Sequence, residues 1–270
     1  MAYENPYILA ENFINDSTTF TASEAVGFPA ENVADLLDWT YWESAITGNQ
    51  FFSMDMGADI DPDTVVIGGS NLWPNGSVFL LQSSNDSGYS PAETRATWSL
   101  TFPFLDQTKY ISLSEFPPAR YWRAFVFAGP SGGIPKITNL WLGSKITIPV
   151  GAEFSFDPDM QKIISEKYAN SEGRLPSNGK RYSERMMNVE FKRISQSFVD
   201  TDLLPFLEDH YSQMLPFFFV PDPGNVFGTD KIYYLTAPEN PRIELPVYND
   251  QIGFRNWTLL AEGVRQSTFR

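Results

Sequence analysis

The sequence predicts a mainly β protein with two domains: a β-sandwich or jelly roll in residues 1–147, and in residues 148–270 a small antiparallel sandwich with one helix. Three observations predict this fold class. Aromatic residues make up 15% of the 270 residues, and 20 prolines and 18 glycines divide the chain into short segments. Apolar residues mostly alternate with polar ones, as in half-buried strands. The length is typical of two domains.

Six short runs in the first half have the composition of strands, because β-branched and aromatic residues dominate them. Clusters of Pro, Gly, Asp and Asn separate these runs and are typical of tight turns. Short strands joined by such turns indicate an antiparallel sandwich or jelly roll. The predicted strands are 51–57, 64–69, 77–84, 109–114, 120–129 and 136–143.

The pattern changes near residues 144–152, and one segment beyond them has helical spacing. Residues 198–214 are predicted to form this helix, with Thr201 or Asp202 as its N-cap and Pro205 in the first turn, where proline is tolerated. A helix among antiparallel strands indicates an α+β module. The strands predicted around the helix are 185–195, 215–222, 231–237, 242–249 and 256–264.

The charge and the cysteine count exclude several classes of function. The chain has 19 basic and 33 acidic residues, a net charge of −14, and no cysteine. Because no run of Lys or Arg is present, binding to nucleic acid or to an anionic membrane is not expected. The absence of cysteine excludes disulfides and thiolate metal sites. We expect no signal peptide at the start and no membrane insertion, since no apolar run is long enough.

Five short motifs in residues 20–143 follow one another in the order found in discoidin-like (coagulation-factor C-type, carbohydrate-binding) jelly rolls. The first motif resembles the opening loop of that family, with Asn32, Asp35, Thr40 and Trp42 at matching positions. The resemblance implies a jelly-roll fold and a glycan as the class of ligand. The five motifs are FPAENVADLLDWTYWESA, FFSMDMG, VFLLQSSNDSG, PPARYWRAFVF and ITNLWLG.

The same resemblance suggests a calcium site formed by Asp35, Asp38 and Thr40. In this sequence Leu36 and Leu37 replace the glycine and the second aspartate of the family's loop. Calcium takes six or more oxygen ligands, usually including carboxylates, so the loss of one acid weakens the site. Two interpretations stay open, a bound calcium ion or a turn held by hydrogen bonds. No other cofactor is expected.

Three aromatic residues, Trp39, Trp73 and Tyr89, are candidates for ligand contact, because they fall in or beside predicted loops. Exposed aromatic rings can stack on the faces of sugar rings, and they also anchor protein interfaces. Trp42 matches the family's structural tryptophan and is predicted to be buried.

Catalysis is not predicted. His210 is the only histidine, and no nucleophile motif accompanies it. A histidine on the surface of the predicted helix or in an interface explains this residue without chemistry. The sequence therefore predicts a non-enzymatic protein.

Residues 150–265 resemble the tail-tube and distal-tail modules of tailed bacteriophages, in which a small β-sandwich with one helix stacks as rings. The order of elements and the stretch PFFFVPDP carry this resemblance. It implies that the polar segment 167–184 is a loop that contacts neighbouring subunits. Phe217, Phe218 and Phe219 are then core or subunit interface. We expect two of them in the core and one facing a partner.

The leading hypothesis is a structural protein of a phage virion, located in the tail tip or baseplate and assembled in the host cytoplasm. Its partners would be other tail proteins and copies of itself in a ring, and its jelly-roll half would decorate the tail or contact host surface glycans. The alternative is a carbohydrate-binding module protein that recognises bacterial surface glycans outside a virion.

Overall fold

The computed structural model describes residues 5–35, 37, 40–72, 76–99, 109–113, 117–129, 132–151, 161–168, 177–221, 232–238, 247–248 and 254–263. In this part of the chain the structure is mainly β and its sheets are built mainly from antiparallel strand pairs, which confirms the predicted fold class. The described residues fall into two compact units. Glu11–Lys145 form the jelly-roll unit, and residues 5–10 together with those from Ile146 onwards form the second unit.

Most strands have nine residues or fewer, as expected for a chain punctuated by Pro and Gly, and β4, β13 and β17 are longer. Numbered along the chain, they are β1 (Tyr7–Leu9), β2 (Thr19–Ala22), β3 (Trp42–Glu43), β4 (Gln50–Ile60), β5 (Thr64–Ser70), β6 (Val78–Ser84), β7 (Glu93–Ser99), β8 (Lys109–Ser112), β9 (Ala119–Phe127), β10 (Lys136–Gly143), β11 (Lys145–Thr147), β12 (Gln161–Tyr168), β13 (Ser177–Ser195), β14 (Phe217–Val220), β15 (Tyr233–Thr236), β16 (Val247–Tyr248) and β17 (Phe254–Gly263).

The jelly-roll unit has two antiparallel sheets. One contains five strands in the order β2-β4-β9-β6-β7, and the other contains four in the order β3-β10-β5-β8. Alternation along the strands buries every second side chain, so Phe52 and Met54 of β4 meet Val65 and Ile67 of β5 in one hydrophobic core. Trp42 is fully buried in this core, as predicted, with its ring edge-on to that of Phe52 at 4.9 Å.

The second unit is built on one large sheet, β11-β1-β14-β15-β17-β13-β12, with β16 paired to β17. A helical segment, 196–213, packs against it. Leu203, Phe206 and Leu207 of this segment share a hydrophobic core with Phe191 and Leu259 of the sheet. The described part of this unit is therefore an antiparallel sheet with one helix on a face, as the α+β prediction states.

The helical segment begins earlier than predicted, and its N-cap is Ser195 rather than Thr201 or Asp202. The hydroxyl of Ser195 accepts a hydrogen bond from the Phe198 backbone N–H at 3.3 Å. The segment consists of α1 (Gln196–Phe198), the π-helical turns Val199–Leu203 and Phe206–His210, and a final 3-10 turn, Tyr211–Gln213.

Pro205 lies in the middle of this segment and not in the first turn, which corrects the prediction. A proline inside an α-helix clashes with the carbonyl four residues earlier and lacks an N–H. Here the Leu204 N–H bonds to the Val199 carbonyl, five residues back, in a π-helical turn. This wider turn accommodates the proline ring without ending the helix.

The division of the chain differs from the predicted domains 1–147 and 148–270 at the N-terminus. β1 pairs with β14, and the Ile148 N–H donates to the Pro6 carbonyl at 2.8 Å. The first described residues therefore belong to the second unit. The three residues of β1 have the brief apolar pattern of a strand buried on both faces, which gives no indication of the sheet that it joins.

The segment 167–184 was predicted to be a loop, but the structure places much of it in strands. Lys167 and Tyr168 end β12, and 177–184 begin β13. The two strands pair from Gln161–Arg185 to Tyr168–Ser177 as a hairpin.

Phe217, Phe218 and Phe219 are all buried within the chain, at 0%, 1% and 0% exposure. Phe217 and Phe219 face the core shared with the helical segment, as predicted for two of the three. Phe218 points to the opposite face of the sheet, where its ring stacks on Tyr234 at 4.7 Å. None of the three is exposed, so the structure corrects their assignment to a subunit interface.

Candidate functional site

Three of the predicted site residues, Asp38, Trp39 and Trp73, lie outside the described residues. Tyr89, Asp35 and Thr40 are described, and they do not form one site. Tyr89 belongs to the β6–β7 loop at one end of the five-stranded sheet, whereas Asp35 and Thr40 belong to the loop before β3.

Asp35 organises a tight turn in its own loop. Its Oδ1 accepts a hydrogen bond from the Leu37 N–H at 2.9 Å, and the Thr40 hydroxyl lies 2.7 Å from Oδ2 and donates to the carboxylate. Of the two interpretations of this loop, a bound calcium ion or a turn held by hydrogen bonds, these contacts match the turn. Among the described residues, no group of three or more His, Asp or Glu side chains is arranged to hold a metal ion. Calcium at Asp35, Asp38 and Thr40 stays a prediction.

The outer face of the five-stranded sheet carries a group of aromatic side chains. Because Phe52 and Met54 of β4 point into the core, Phe51 points outward, and the same alternation turns Phe125 and Phe127 of β9 outward. Phe51 and Phe127 are 42% and 38% exposed. Exposed phenylalanines at neighbouring positions are unusual on a soluble protein and indicate a contact surface.

The rings of these phenylalanines are in contact with one another. Phe51 and Phe125 are cross-strand partners with nearly parallel rings, 6.0 Å apart and inclined by 8°. Phe127 follows two residues along β9, with its ring 4.7 Å from that of Phe125. Together with Tyr89 and Arg123 they form a continuous surface that we call the aromatic strip.

Arg123 occupies the centre of the aromatic strip. Its guanidinium lies over the ring of Tyr89 at 4.4 Å, over Phe51 at 5.5 Å and over Phe125 at 5.8 Å. Nε and Nη2 donate hydrogen bonds to Oε1 of Gln82 on β6, at 3.1 and 2.6 Å. Cation–π contacts and a two-point hydrogen bond together hold the guanidinium in a fixed orientation.

Tyr89 closes one end of the aromatic strip. Its backbone has a φ of 55°, the left-handed conformation of a tight turn, which directs the side chain back over the sheet. The phenolic hydroxyl donates to the Trp122 carbonyl. Burial raises the pKa of Tyr89 to about 12, so the phenol stays neutral at physiological pH. Tyr89 is thus half-buried and contributes a ring edge, which differs from the freely exposed loop aromatic that we predicted.

An ion pair borders the aromatic strip. Nε and Nη2 of Arg120 donate to Oδ1 and Oδ2 of Asp55 at 2.6 and 2.9 Å. Hydrogen bonding from Arg120 lowers the pKa of Asp55 below its usual value, so the pair persists into mild acid. The motif resemblance included Asp55, and its structural role is this two-point pair with β9.

A separate cleft of about 350 Å³ opens beside the β6–β7 hairpin and Pro117. Its buried arginine, Arg95, donates from Nε to the Ser83 hydroxyl and from Nη2 to the Pro117 carbonyl at 2.7 Å. Burial lowers the pKa of Arg95, and Glu93 approaches its Nη2 at 3.5 Å. The polar groups of the cleft wall bond to one another through Arg95, so they stabilise the fold rather than bind a ligand.

His210 lies in the second unit, far along the chain from this surface. Its Nε2 is 2.9 Å from the Pro216 carbonyl, and its ring contacts Phe206 and Phe217. Burial lowers the pKa of His210. These contacts describe a half-buried residue that helps to close the helical segment and not a freely exposed one, whereas the interface alternative stays a prediction.

The sequence contained a signal for the aromatic strip that motif comparison alone misses. Two adjacent aromatics in one strand, Phe51 and Phe52, must point to opposite faces, and Phe125 and Phe127 must share a face. Which face is outward depends on Trp122 and the rest of the core, so the strip becomes recognisable only when strand alternation is followed across β4 and β9.

Comparison with known proteins gives partial matches only. No protein-family model matches the chain, and no curated protein sequence matches it. Among solved structures, similar chains include the CBM32 of AlyQ in complex with 4,5-unsaturated mannuronic acid, with 21% identity and a TM-score of 0.38 over 46% of this chain and 92% of that module. Chitosan-binding module 1 from the chitosanase/glucanase of Paenibacillus sp. IK-5 has 20% identity and a TM-score of 0.41 over 49% and 98%.

Two further solved structures are also similar to part of this chain. CpGH89CBM32-5 of Clostridium perfringens, in complex with GalNAc-β-1,3-galactose, has 14% identity and a TM-score of 0.41 over 49% of this chain and 99% of that module. SpGH29 has 12% identity and a TM-score of 0.40, and the chain spans about 28% of its length. The first three of these structures are carbohydrate-binding modules, and each is matched by about half of this chain.

Proposed function

We propose that the jelly-roll unit binds glycans without catalysis, and that the aromatic strip is the binding surface. The observation that carries this proposal is the set of outward-facing rings of Phe51, Phe125 and Phe127, which touch one another on an open sheet face. Such rings have no role in the core of the sandwich. Exposed apolar rings are unfavourable in water, and on protein surfaces such patches mark sites that bind a ligand or a partner.

The chemistry of the strip suits a sugar. The face of an aromatic ring carries partial negative charge, which attracts the C–H groups on one face of a pyranose. The rings of Phe51 and Phe125 are nearly parallel and 6.0 Å apart, so they offer apolar surface to a sugar ring, and Arg123 supplies hydrogen-bond donors beside them. A few polar groups beside an apolar surface are typical of small-molecule binding sites.

A protein partner is the competing occupant of this surface, because Phe, Tyr and Arg are also common at protein interfaces. The motifs that resemble discoidin-like carbohydrate-binding jelly rolls favour a glycan. Asn32, Thr40 and Trp42 belong to that set, and they lie in the same unit as the strip.

The test is a glycan array with the full chain, followed by calorimetric titration of each positive glycan. Replacing Phe125 by alanine removes the central ring, and we expect about a fivefold loss of affinity, since one stacking contact is worth about 1 kcal/mol. Ile46→Ala is the matched control, because Ile46 is 59% exposed in a loop of the same unit.

Equal thermal stability of the two variants would establish that folding is not the cause of a difference. Unchanged affinity in Phe125→Ala would show that the ligand binds elsewhere, and an array without any bound glycan would refute glycan binding itself.

A second candidate function is that of a ring-forming structural subunit in a tailed-phage virion, and one observation favours it. The first nine residues of β13 pair with β12 only, whereas Met186–Ser195 join the large sheet through β17. In the described residues the hairpin is thus a two-stranded ribbon, which is only marginally stable alone in water. A neighbouring subunit would stabilise it.

This second candidate predicts an assembly that depends on the hairpin. We expect sedimentation of the full chain to show a ring-sized oligomer, and replacement of residues 161–185 by a short turn to leave a folded monomer. A monomer before the replacement, at concentrations up to the millimolar range, would contradict the ring. Glycan binding by the jelly-roll unit is compatible with either outcome.

A further inference from the structure

Arg123 differs from the other described arginines of the jelly-roll unit in the partner that it contacts. Arg95 lies 3.5 Å from Glu93, and Arg120 lies 2.6 Å from Asp55. Arg123 instead donates both of its recorded hydrogen bonds to the amide oxygen of Gln82. An amide carries no net charge, so the positive charge of Arg123 is not balanced by an acid among the described residues.

The guanidinium of Arg123 also has donors left for a ligand. A guanidinium has five N–H groups, and Gln82 accepts from Nε and from one N–H of Nη2. The two N–H groups of Nη1 and the second of Nη2 have no hydrogen-bond acceptor among the described residues. The rings of Tyr89, Phe51 and Phe125 hold the group in place, so a ligand would not have to order it.

Asp55, which borders the strip, does not compete for Arg123. Asp55 lies two residue pairs further along β4 and β9, and both of its oxygens accept from Arg120. Its charge is therefore balanced locally. The net charge of −14 belongs to the whole chain, and charges farther away than about 8 Å are largely screened at physiological salt. The strip is locally positive on an acidic protein.

We infer that the ligand of the aromatic strip is an acidic glycan, in which the carboxylate of a uronic acid pairs with Arg123 while its pyranose ring stacks on Phe51 and Phe125. This inference rests on the proposed function and specifies its ligand class. A planar guanidinium matches a carboxylate by two parallel hydrogen bonds, whereas a hydroxyl uses only one. The Arg123 guanidinium lies directly beside the rings of Phe51 and Phe125. In a uronic acid the carboxylate is likewise attached directly to the pyranose ring, so one sugar unit can contact both.

The test compares uronic-acid oligosaccharides with their neutral methyl esters, so that only the charge differs. The panel contains oligomers of galacturonate, glucuronate and mannuronate, each titrated into the full chain as acid and as ester. We expect at least one acid to bind about fivefold more tightly than its ester at low salt, as for an exposed charge pair. This preference should decrease in 0.5 M NaCl, because salt screens the pair.

Two variants assign the preference to Arg123. Arg123→Gln removes the charge, and Gln82→Glu keeps Arg123 but gives it a carboxylate partner of nearly the same shape. Both should bind acid and ester equally, because neither has an unbalanced positive charge beside the rings. Phe125→Ala should weaken acid and ester to the same extent.

The outcomes separate this inference from the proposed function. Equal binding of acid and ester by the wild-type chain, or a preference that survives in both variants, overturns the acidic ligand and leaves glycan binding intact. The same holds if the array yields neutral glycans only. If sulfated but not carboxylated sugars bind, Arg123 recognises an anion of another kind and the uronic acid is refuted. If no glycan binds, the proposed function fails together with the inference.

Discussion

At the scale of single residues, strand alternation decides which aromatics are core and which form a surface. Phe51 and Phe52 are neighbours of the same type, yet one is 42% exposed and the other fully buried. The difference follows from the pleat of β4, which directs consecutive side chains to opposite faces. Phe52 therefore stabilises the sandwich, and Phe51 is available to a ligand.

A close backbone approach gives Gly143 a structural role that its sequence context does not reveal. A Cβ at this position would lie 2.0 Å from the Glu11 carbonyl oxygen, which accepts a hydrogen bond from Trp141 Nε1 at 2.9 Å. Gly143→Ala must displace that carbonyl and weaken this bond. We expect a loss of about 2–3 kcal/mol in the free energy of unfolding, measured by urea denaturation.

Gly151→Ala is the matched control for Gly143→Ala, because no atom lies within 4 Å of a Cβ built there. It should change the free energy of unfolding by less than about 0.5 kcal/mol. Equal stability of the two variants would show that the backbone near Glu11 moves freely to accept the methyl group.

The burial of a single side chain is predictable from sequence when its motif or its strand pattern indicates one face. It is not predictable when burial depends on what covers the other face. The burial of Trp42 is implied by the resemblance of its motif to that of discoidin-like jelly rolls, and the structure confirms it. For the stretch 217–219, alternation correctly assigns two phenylalanines to one core. It does not reveal that the opposite face, with Phe218 and Tyr234, is also buried. Burial of a second face depends on distant parts of the chain, which periodicity does not report.

At the scale of elements, runs dominated by β-branched and aromatic residues are predicted as strands, whereas β7 (Glu93–Ser99) and several very short strands are missed. All six strands predicted in the first half are present, because each has several alternating β-branched or aromatic residues. β1, β2 and β3 have four residues or fewer, so their pattern is too short to identify. β12 and the first part of β13 are rich in polar residues, so alternation gives little signal there, and the two strands pair with each other.

The helical segment shows how tertiary contacts override local rules. Helical spacing correctly predicts a helix in this part of the chain, but the rule that restricts proline to the first turn places the start too late. Leu203, Phe206 and Leu207 pack on the sheet on both sides of Pro205, and their burial compensates for the irregular turns. The aromatic strip is also a property of elements, since it requires the register of β4 and β9.

At the scale of the whole molecule, two separate hydrophobic cores explain why the chain forms two compact units. One core lies between the two sheets of the jelly-roll unit, and the other lies between the large sheet and the helical segment. Each unit buries its own apolar side chains, which is the physical meaning of a domain. The order of segments along the chain is not simply first half and second half, because β1 joins the later unit.

The position of β1 leads to a prediction about truncation. β1 lies between β11 and β14, and its residues Tyr7, Ile8 and Leu9 are at most 3% exposed. Deleting residues 1–10 removes the strand that connects β11 to the rest of the sheet. We expect the second unit to lose about 5 kcal/mol of unfolding free energy, since each buried side chain contributes roughly 2 kcal/mol. The jelly-roll unit should keep its stability, because its core contains none of these residues.

Limited proteolysis with mass spectrometry can distinguish the two units in this experiment. In the shortened chain, cleavage should appear first in residues 146–265, while a fragment near Glu11–Lys145 should persist. Ile8→Asp tests the same contact without a deletion, because Ile8 is fully buried, and Val26→Asp is its control, since Val26 is 100% exposed. Ile8→Asp should reproduce the cleavage pattern of the deletion, and Val26→Asp should resemble the intact chain. Persistent protection of residues 146–265 in the deletion would mean that the large sheet closes without β1.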